Sequence, residues 1–183
     1  MSRTQIIWGI VLLGVVGIIF FRKVILKKIL APQQEYFIKN LHRKAQDKFR
    51  KLISRIEKET GYSIIITDGY RTFAQQQKEH EINSDNPPAG YGLHDFGLAI
   101  DVNATKGLSY LKKNSSKEDW EKSGIPQIAR GMGFKWGGDY VSYYDPVHLD
   151  LSYDYDANIL RQIAINQFGN NWDDIQGNKI NLA

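Results

Sequence analysis

Apolar positions along the chain fall into a few distinct rhythms, and each rhythm predicts an element. Ile6–Phe21 is a run of sixteen uncharged, mostly apolar positions. Ile38, Leu41, Ala45, Phe49, Leu52, Ile53 and Ile56 then recur at helical spacing with Lys and Arg between them. That pattern predicts one long amphipathic helix over Glu35–Thr60, ended by Gly61. Tyr62–Asp68 (YSIIITD) is β-branched and short, a strand. Thr72 is placed to cap a Gln- and Lys-rich helix over Phe73–Glu81. Further on, Leu98, Ile100 and Val102 alternate with Ala99 and Asp101, while Val147, Leu149 and Leu151 point away from His148, as half-buried strands require. Ile125–Met132 reads as a short helix with Pro126 in its first turn and Gly133 at its close, leading into a strand that begins Phe134-Lys135-Trp136. Asn103–Ser123 shows turns and charges with little periodicity, and a last helix covers Ala157–Phe168 through Ile159, Leu160, Ile163 and Ile165. The sum is an α+β fold, a small, mainly antiparallel sheet with helices packed on one side.

Charge changes the picture at one end only. Of 24 Lys and Arg, five lie in residues 1–31 with no acid among them, so the remaining 19 face 20 Asp and Glu. The basicity belongs to the N-terminus, and a nucleic-acid-binding surface on the rest is not indicated. The apolar run at 6–21 approaches the length of a spanning helix once Thr4-Gln5 and the stems of Arg22 and Lys23 are included. No small-x-small cleavage site follows it, and Arg22-Lys23 stands where one is expected, which favours an uncleaved single membrane anchor over a signal peptide. Two units follow: 1–31, the hydrophobic anchor with its basic flank, and 32–183, one domain. There are no cysteines, which excludes disulfides and thiolate metal ligands.

Two stretches carry candidate chemistry, Tyr91–Val102 (YGLHDFGLAIDV) and Tyr144–Leu151 (YDPVHLDL). Imidazole nitrogens and a carboxylate suit a metal such as zinc, which in catalytic sites keeps three protein ligands and one open position. His94, Asp101 and His148 would supply that set, and Asp145 would remain free to handle a proton. His94 and Asp101 are an odd number of positions apart, so one unbroken strand would face them oppositely; Gly97 breaks the run and lets His94 sit on a turn. Pro146 holds Asp145 extended. The plainer alternative is a pair of hydrogen-bonded histidines and turn-capping aspartates, and spacing alone leaves both open. His42 and His80 lack a partner at ligand spacing and default to surface residues.

The same residues carry a resemblance. His94, Gly97, Ala99 and Asp101, then Trp136-Gly137-Gly138-Asp139, then Asp145 and His148, resemble the zinc peptidases of the LAS group, named for lysostaphin, D-alanyl-D-alanine peptidases and sonic hedgehog. The likeness is to the branch of D-Ala-D-Ala carboxypeptidases and L-alanyl-D-glutamate endopeptidases, which includes phage endolysins. Gly69-Tyr70-Arg71-Thr72 is similar to that family's arginine motif, and it spans roughly Ile38 to Leu151 with the rest. The chain departs at Gly92, where the family carries a serine.

The resemblance implies a hedgehog-like peptidase fold and zinc on His94, Asp101 and His148. It implies Asp145 as general base, Arg71 on the substrate's carbonyl or carboxylate, and hydrolysis of a peptide bond in peptidoglycan stem peptides. The alternative is a catalytically silent binding or structural module of a membrane or phage-derived assembly. A wall substrate places the domain on the outer side of the cytoplasmic membrane, against the positive-inside rule; storage in a phage particle or release at lysis is the other arrangement.

Overall fold

The computed structural model describes residues 31–174 and 176–182. The expected anchor over 6–21 lies outside them; among the described residues no helix is long and apolar enough to cross a membrane. The expected continuous helix over Glu35–Thr60 is two helices, α1 (31–40) and α2 (Arg43–Thr60). The break falls at Leu41-His42, and His42 fixes it. Its Nδ1 accepts from the Lys44 N–H as the N-cap of α2, and its own N–H donates to Gly97 O at 3.0 Å. Its Nε2 lies 3.0 Å from Ile180 O. His42 is therefore a buried peg between three segments rather than a surface residue, and burial depresses its pKa. Helical periodicity runs through the break because both helices bury the same stripe, Ile38 and Leu41 before it and Ala45, Phe49, Leu52 and Ile56 after it. Removing each large side chain of that stripe from water is worth about 1.5–3 kcal/mol.

Five strands follow: β1 (Ser63–Asp68), β2 (Ala99–Lys106), β3 (Ser109–Leu111), β4 (Lys135–Trp136) and β5 (His148–Asp150). All pairs are antiparallel, in the order β1-β2-β5-β4, with β3 pairing β2. Ile64, Ile66, Ile100, Val102 and Leu149 leave one face and form the core with α2, where Phe49 packs on Phe134 at 5.0 Å between centroids. The opposite face holds the polar residues of the site.

The remaining helices are α3 (Phe73–Ile82), α4 (Lys117–Lys122), α5 (Ile125–Gly131) and α6 (Ala157–Phe168). Thr72 caps α3 as expected, in a reciprocal capping box with Gln75. The region over Asn103–Ser123 is more ordered than its pattern suggests. It completes β2, forms β3, and ends in α4, whose buried Trp120 is anchored by Nε1 donating to Lys112 O at 3.3 Å. Elements this short complete too few periods to announce themselves. In α6, Leu160 and Ala164 are buried while Ile159 is exposed, because the helix rests one narrow stripe on the domain.

Candidate metal centre

The polar face of the sheet is built in rows. Antiparallel pairing sets Asp101 of β2 opposite His148 of β5, and directly opposed residues project to the same side. A bulge in β1 inserts Thr67 between the pairs Ile66↔Val102 and Asp68↔Asp101, so Asp68 joins this row in place of Thr67. The next row is Ala99, Asp150 and Lys135. His94 enters from outside the sheet, on a 3-10 turn over Leu93–Phe96 that Gly97 closes at φ 65°. A Cβ on Gly97 would stand 2.5 Å from the His42 backbone nitrogen, so close approach and positive φ both demand glycine there.

His94 Nε2, His148 Nδ1 and Asp101 Oδ1 form a near-equilateral triangle: 3.2 Å between the nitrogens, 3.3 Å and 3.1 Å from them to the carboxylate. Ligands at zinc distances on a tetrahedron stand about 3.3 Å apart, so this donor set fits one face of such a site. The other ring nitrogens are committed. His94 Nδ1–H donates to Gly69 O at 2.5 Å, and His148 Nε2–H donates to Asp150 Oδ2 at 3.1 Å, leaving the facing lone pairs for a metal. Asp150 is fixed in turn by the Tyr140 hydroxyl at 2.6 Å and the Ser152 N–H at 2.7 Å. Burial opposes ionisation of Asp101, but the two histidines outweigh it and hold its carboxyl well below the usual range. Burial likewise opposes charge on Asp150, and the His148 hydrogen bond brings it down to about 2.

Asp145 stands at the edge of this triangle. One of its carboxylate oxygens is buried without a hydrogen-bond partner, and burial, with the nearby charge of Asp101, raises its pKa. Its placement explains the Trp136-Gly137-Gly138 segment. A Cβ on Gly137 would meet Asp145 O at 2.3 Å, and one on Gly138 would strike the Trp136 ring at 2.3 Å. Trp136 is buried and donates from Nε1 to Pro146 O at 2.7 Å, so it packs beneath the turn that carries Asp145. Asp139 is structural, gripped by Arg130 at 2.6 and 2.8 Å.

Arg71 does point into the cleft, yet much of its guanidinium is occupied. Nε donates to Asp68 Oδ2 at 2.8 Å, Nη1 to Gln76 Oε1 at 3.1 Å and Nη2 to Asp101 Oδ2 at 3.3 Å. It thereby orients Asp101 as well as lining the cleft. The sequence reading missed Asp68, Gln76, Tyr140 and Asp150. Asp150 alone left a signal, lying two positions after His148 on the same strand face. At Gly92, where the resemblance expects serine, the loop is held otherwise: Asp95, wholly buried, accepts from the Gly90 and Gly92 N–H groups at 2.8 and 3.1 Å. The cleft over these residues encloses about 680 Å³.

Residues 86–151 match a family model described as D-alanyl-D-alanine carboxypeptidase. The chain is 30% identical over 105 residues to the peptidoglycan L-alanyl-D-glutamate endopeptidase CwlK of Bacillus subtilis, covering 50% of this chain and 62% of that protein. It is 29% identical over 104 residues to the L-alanyl-D-glutamate peptidase of Listeria phage A118, covering 57% of this chain and 35% of that one. The match thus spans less than two thirds of either relative. The fold is similar to that of the Serratia marcescens L-Ala D-Glu endopeptidase ChiX, with a TM-score of 0.50 and 20% identity over 65% of this chain and 86% of that one. The motifs, the donor triangle and these similarities together fit the LAS-type peptidases, in the branch of D-Ala-D-Ala carboxypeptidases and L-alanyl-D-glutamate endopeptidases.

Proposed function

We propose that the chain is a zinc-dependent peptidase that hydrolyses a peptide bond in peptidoglycan stem peptides, and that the bond is the one between L-alanine and D-glutamate. The observation that carries this reading is the conjunction at one spot of a tetrahedral-face donor set and a buried carboxylate oxygen with no partner. A purely structural metal site has no use for the second feature. The names of the curated relatives favour the endopeptidase bond over the carboxypeptidase one.

Zinc held by His94, Asp101 and His148 would polarise the scissile carbonyl and lower the pKa of a water to about 7. Asp145 takes a proton from the attacking water as the water's oxygen adds to the carbonyl carbon. The same carboxyl then delivers the proton to the nitrogen as the C–N bond breaks, so a neutral amine departs. The raised pKa of Asp145 suits both halves of this transfer. Arg71 fixes Asp101 and offers its remaining N–H groups to the oxygen that gains charge.

The test is mass spectrometry of muropeptides incubated with the purified chain. Release of the dipeptide-cleaved products, abolished by a chelator and restored by zinc, is the expected result. Products lacking only the terminal D-alanine would establish the carboxypeptidase bond instead, and no product with zinc present would reject the peptidase reading. We further infer that residues 1–31 anchor the domain of 32–183 to the cytoplasmic membrane on its wall side. The apolar run at 6–21 and the need to reach a polymeric wall substrate support this.

A further inference from the structure

Two cations of the cleft have no part in the chemistry above. Lys135 and Lys113 both line it. Because β4 sets Lys135 opposite Asp150, the lysine side chain leaves the sheet on the face of Asp150 and His148. Its Nζ stands 5.0 Å from the centroid of the Tyr140 ring, and that ring is 5.9 Å from the ring of His148. Lys113 comes from the loop after β3 and lies close enough to Asp145 for its charge to favour the carboxylate. Neither lysine has a carboxylate within ion-pairing distance among the described residues. Most carboxylates of the cleft wall are taken, Asp150 by His148, Tyr140 and Ser152, Asp139 by Arg130, and Asp156 by the N–H groups that open α6, while Asp145, beside Lys113, keeps one oxygen without a partner. Arg71, the third cation of the cleft, is bound to Asp68, Gln76 and Asp101.

A half-buried ammonium resting on an aromatic face, beside the reacting centre and without an anion, is matched by an anion that arrives with the substrate. In a stem peptide D-glutamate is carried onward through its γ-carboxyl. Its α-carboxylate therefore stays free, on the same carbon that bears the nitrogen of the bond to be cut. Amidation of that group, a modification open to any free carboxyl, removes its charge and leaves its shape almost unchanged.

We propose that Lys135, assisted by Lys113, forms the subsite for this free carboxylate, and that the cleft selects stem peptides with ionised D-glutamate over those in which it is amidated. The subsite rests on the peptidase reading. Its loss weakens a charge-assisted contact, for which about a ten-fold effect is expected.

The experiment uses the full-length, zinc-loaded chain in mild detergent and two synthetic stem peptides that differ only in carboxylate against carboxamide at this position. The wild type should cleave the acidic peptide with at least about ten-fold higher kcat/KM. In the Lys135→Gln, Lys113→Gln double variant that ratio should fall to about one, through a higher KM for the acidic peptide; Lys135→Arg should keep the preference. Both side chains reach solvent, so zinc content and unfolding midpoint serve as controls for folding. Equal kcat/KM for both peptides in the wild type, or an unchanged ratio in the double variant, would overturn the subsite and leave the peptidase reading standing. Failure of the wild type to cleave either peptide would overturn both.

Discussion

Asp145 and Asp150 lie five positions apart and both face the cleft, but their surroundings give them opposite work. Asp145 keeps one buried oxygen without a partner, whereas Asp150 receives hydrogen bonds from a histidine, a tyrosine and a backbone N–H. Asp145→Asn keeps the shape and removes the proton acceptor. Zinc should remain bound at one per chain while hydrolysis falls at least about a hundred-fold, the scale of a lost general base. Elemental analysis beside a turnover assay reads both, and near-wild-type turnover would show that Asp145 is not the base. Asp150→Asn should act on affinity instead. With its carboxylate gone, His148 is oriented less firmly and is a weaker base, and zinc affinity measured by chelator competition should drop about ten- to a hundred-fold. Unchanged affinity would mean that Tyr140 and Asp150 merely fill space.

The elements hold these residues through a few points where the backbone has no alternative. The 3-10 turn that presents His94 needs Gly97 for its positive φ and for its approach to His42. Gly97→Ala pays a left-handed penalty of about 1–2 kcal/mol before the clash is counted, so urea unfolding should show a loss of at least about 2 kcal/mol. A loss under 1 kcal/mol would mean that the turn relaxes freely. The turn at 137–139 is tied to α5 by Arg130, which bridges Asp139 and Glu121. The hydrogen bond from Arg130 is the main reason that the Asp139 carboxyl titrates below its ordinary 3.8. A carboxyl lowered on folding adds stability that is present in full above its unfolded pKa and fades as pH falls through the folded value. The stability gap between wild type and Asp139→Asn should therefore hold from pH 7 down to about 4 and close below that, as chemical denaturation across pH would record. A gap that persists at pH 2 would assign the effect to packing. The group is partly exposed, so solvent screening keeps the gap modest.

At the scale of the molecule, residues 177–182 return beneath the turn that carries His94. Asn178 Nδ2 donates to Asn40 O at 2.5 Å, Ile180 O meets the ring of His42, and Gly177 packs where a Cβ would strike the Asp95 backbone. The helix break, the His94 turn and the tail are thus one assembly behind the centre. Whole-molecule placement is open to direct test. If residues 1–31 anchor the domain outside the cytoplasmic membrane, the chain should migrate at full length in the membrane fraction, and protease added to spheroplasts should digest the domain. Complete protection of a protease-sensitive domain would place it inside, favouring a lysis-released or particle-packaged enzyme.

Local physics made much of this legible in the chain itself. Period-two alternation placed Asp101 and His148 on strands with their apolar neighbours turned to the core, and glycine marked the turn for His94, because alternation and backbone freedom are properties of adjacent residues. The Thr72 cap of α3 and the bounds of α6 were equally local. Tertiary structure alone decided the rest. Only the register of β1, β2, β5 and β4 assembles Asp68, Asp101 and His148 in one row, and the bulge that admits Asp68 has no signature in SIIITD. Only packing against Gly97 and Ile180 makes His42 a buried cap and splits the first helix, since a stripe buried continuously by two helices has the same period as one buried by a single helix. The free ammoniums of Lys113 and Lys135 are likewise invisible in sequence, because whether a charge is paired depends on which distant residues the fold brings to it.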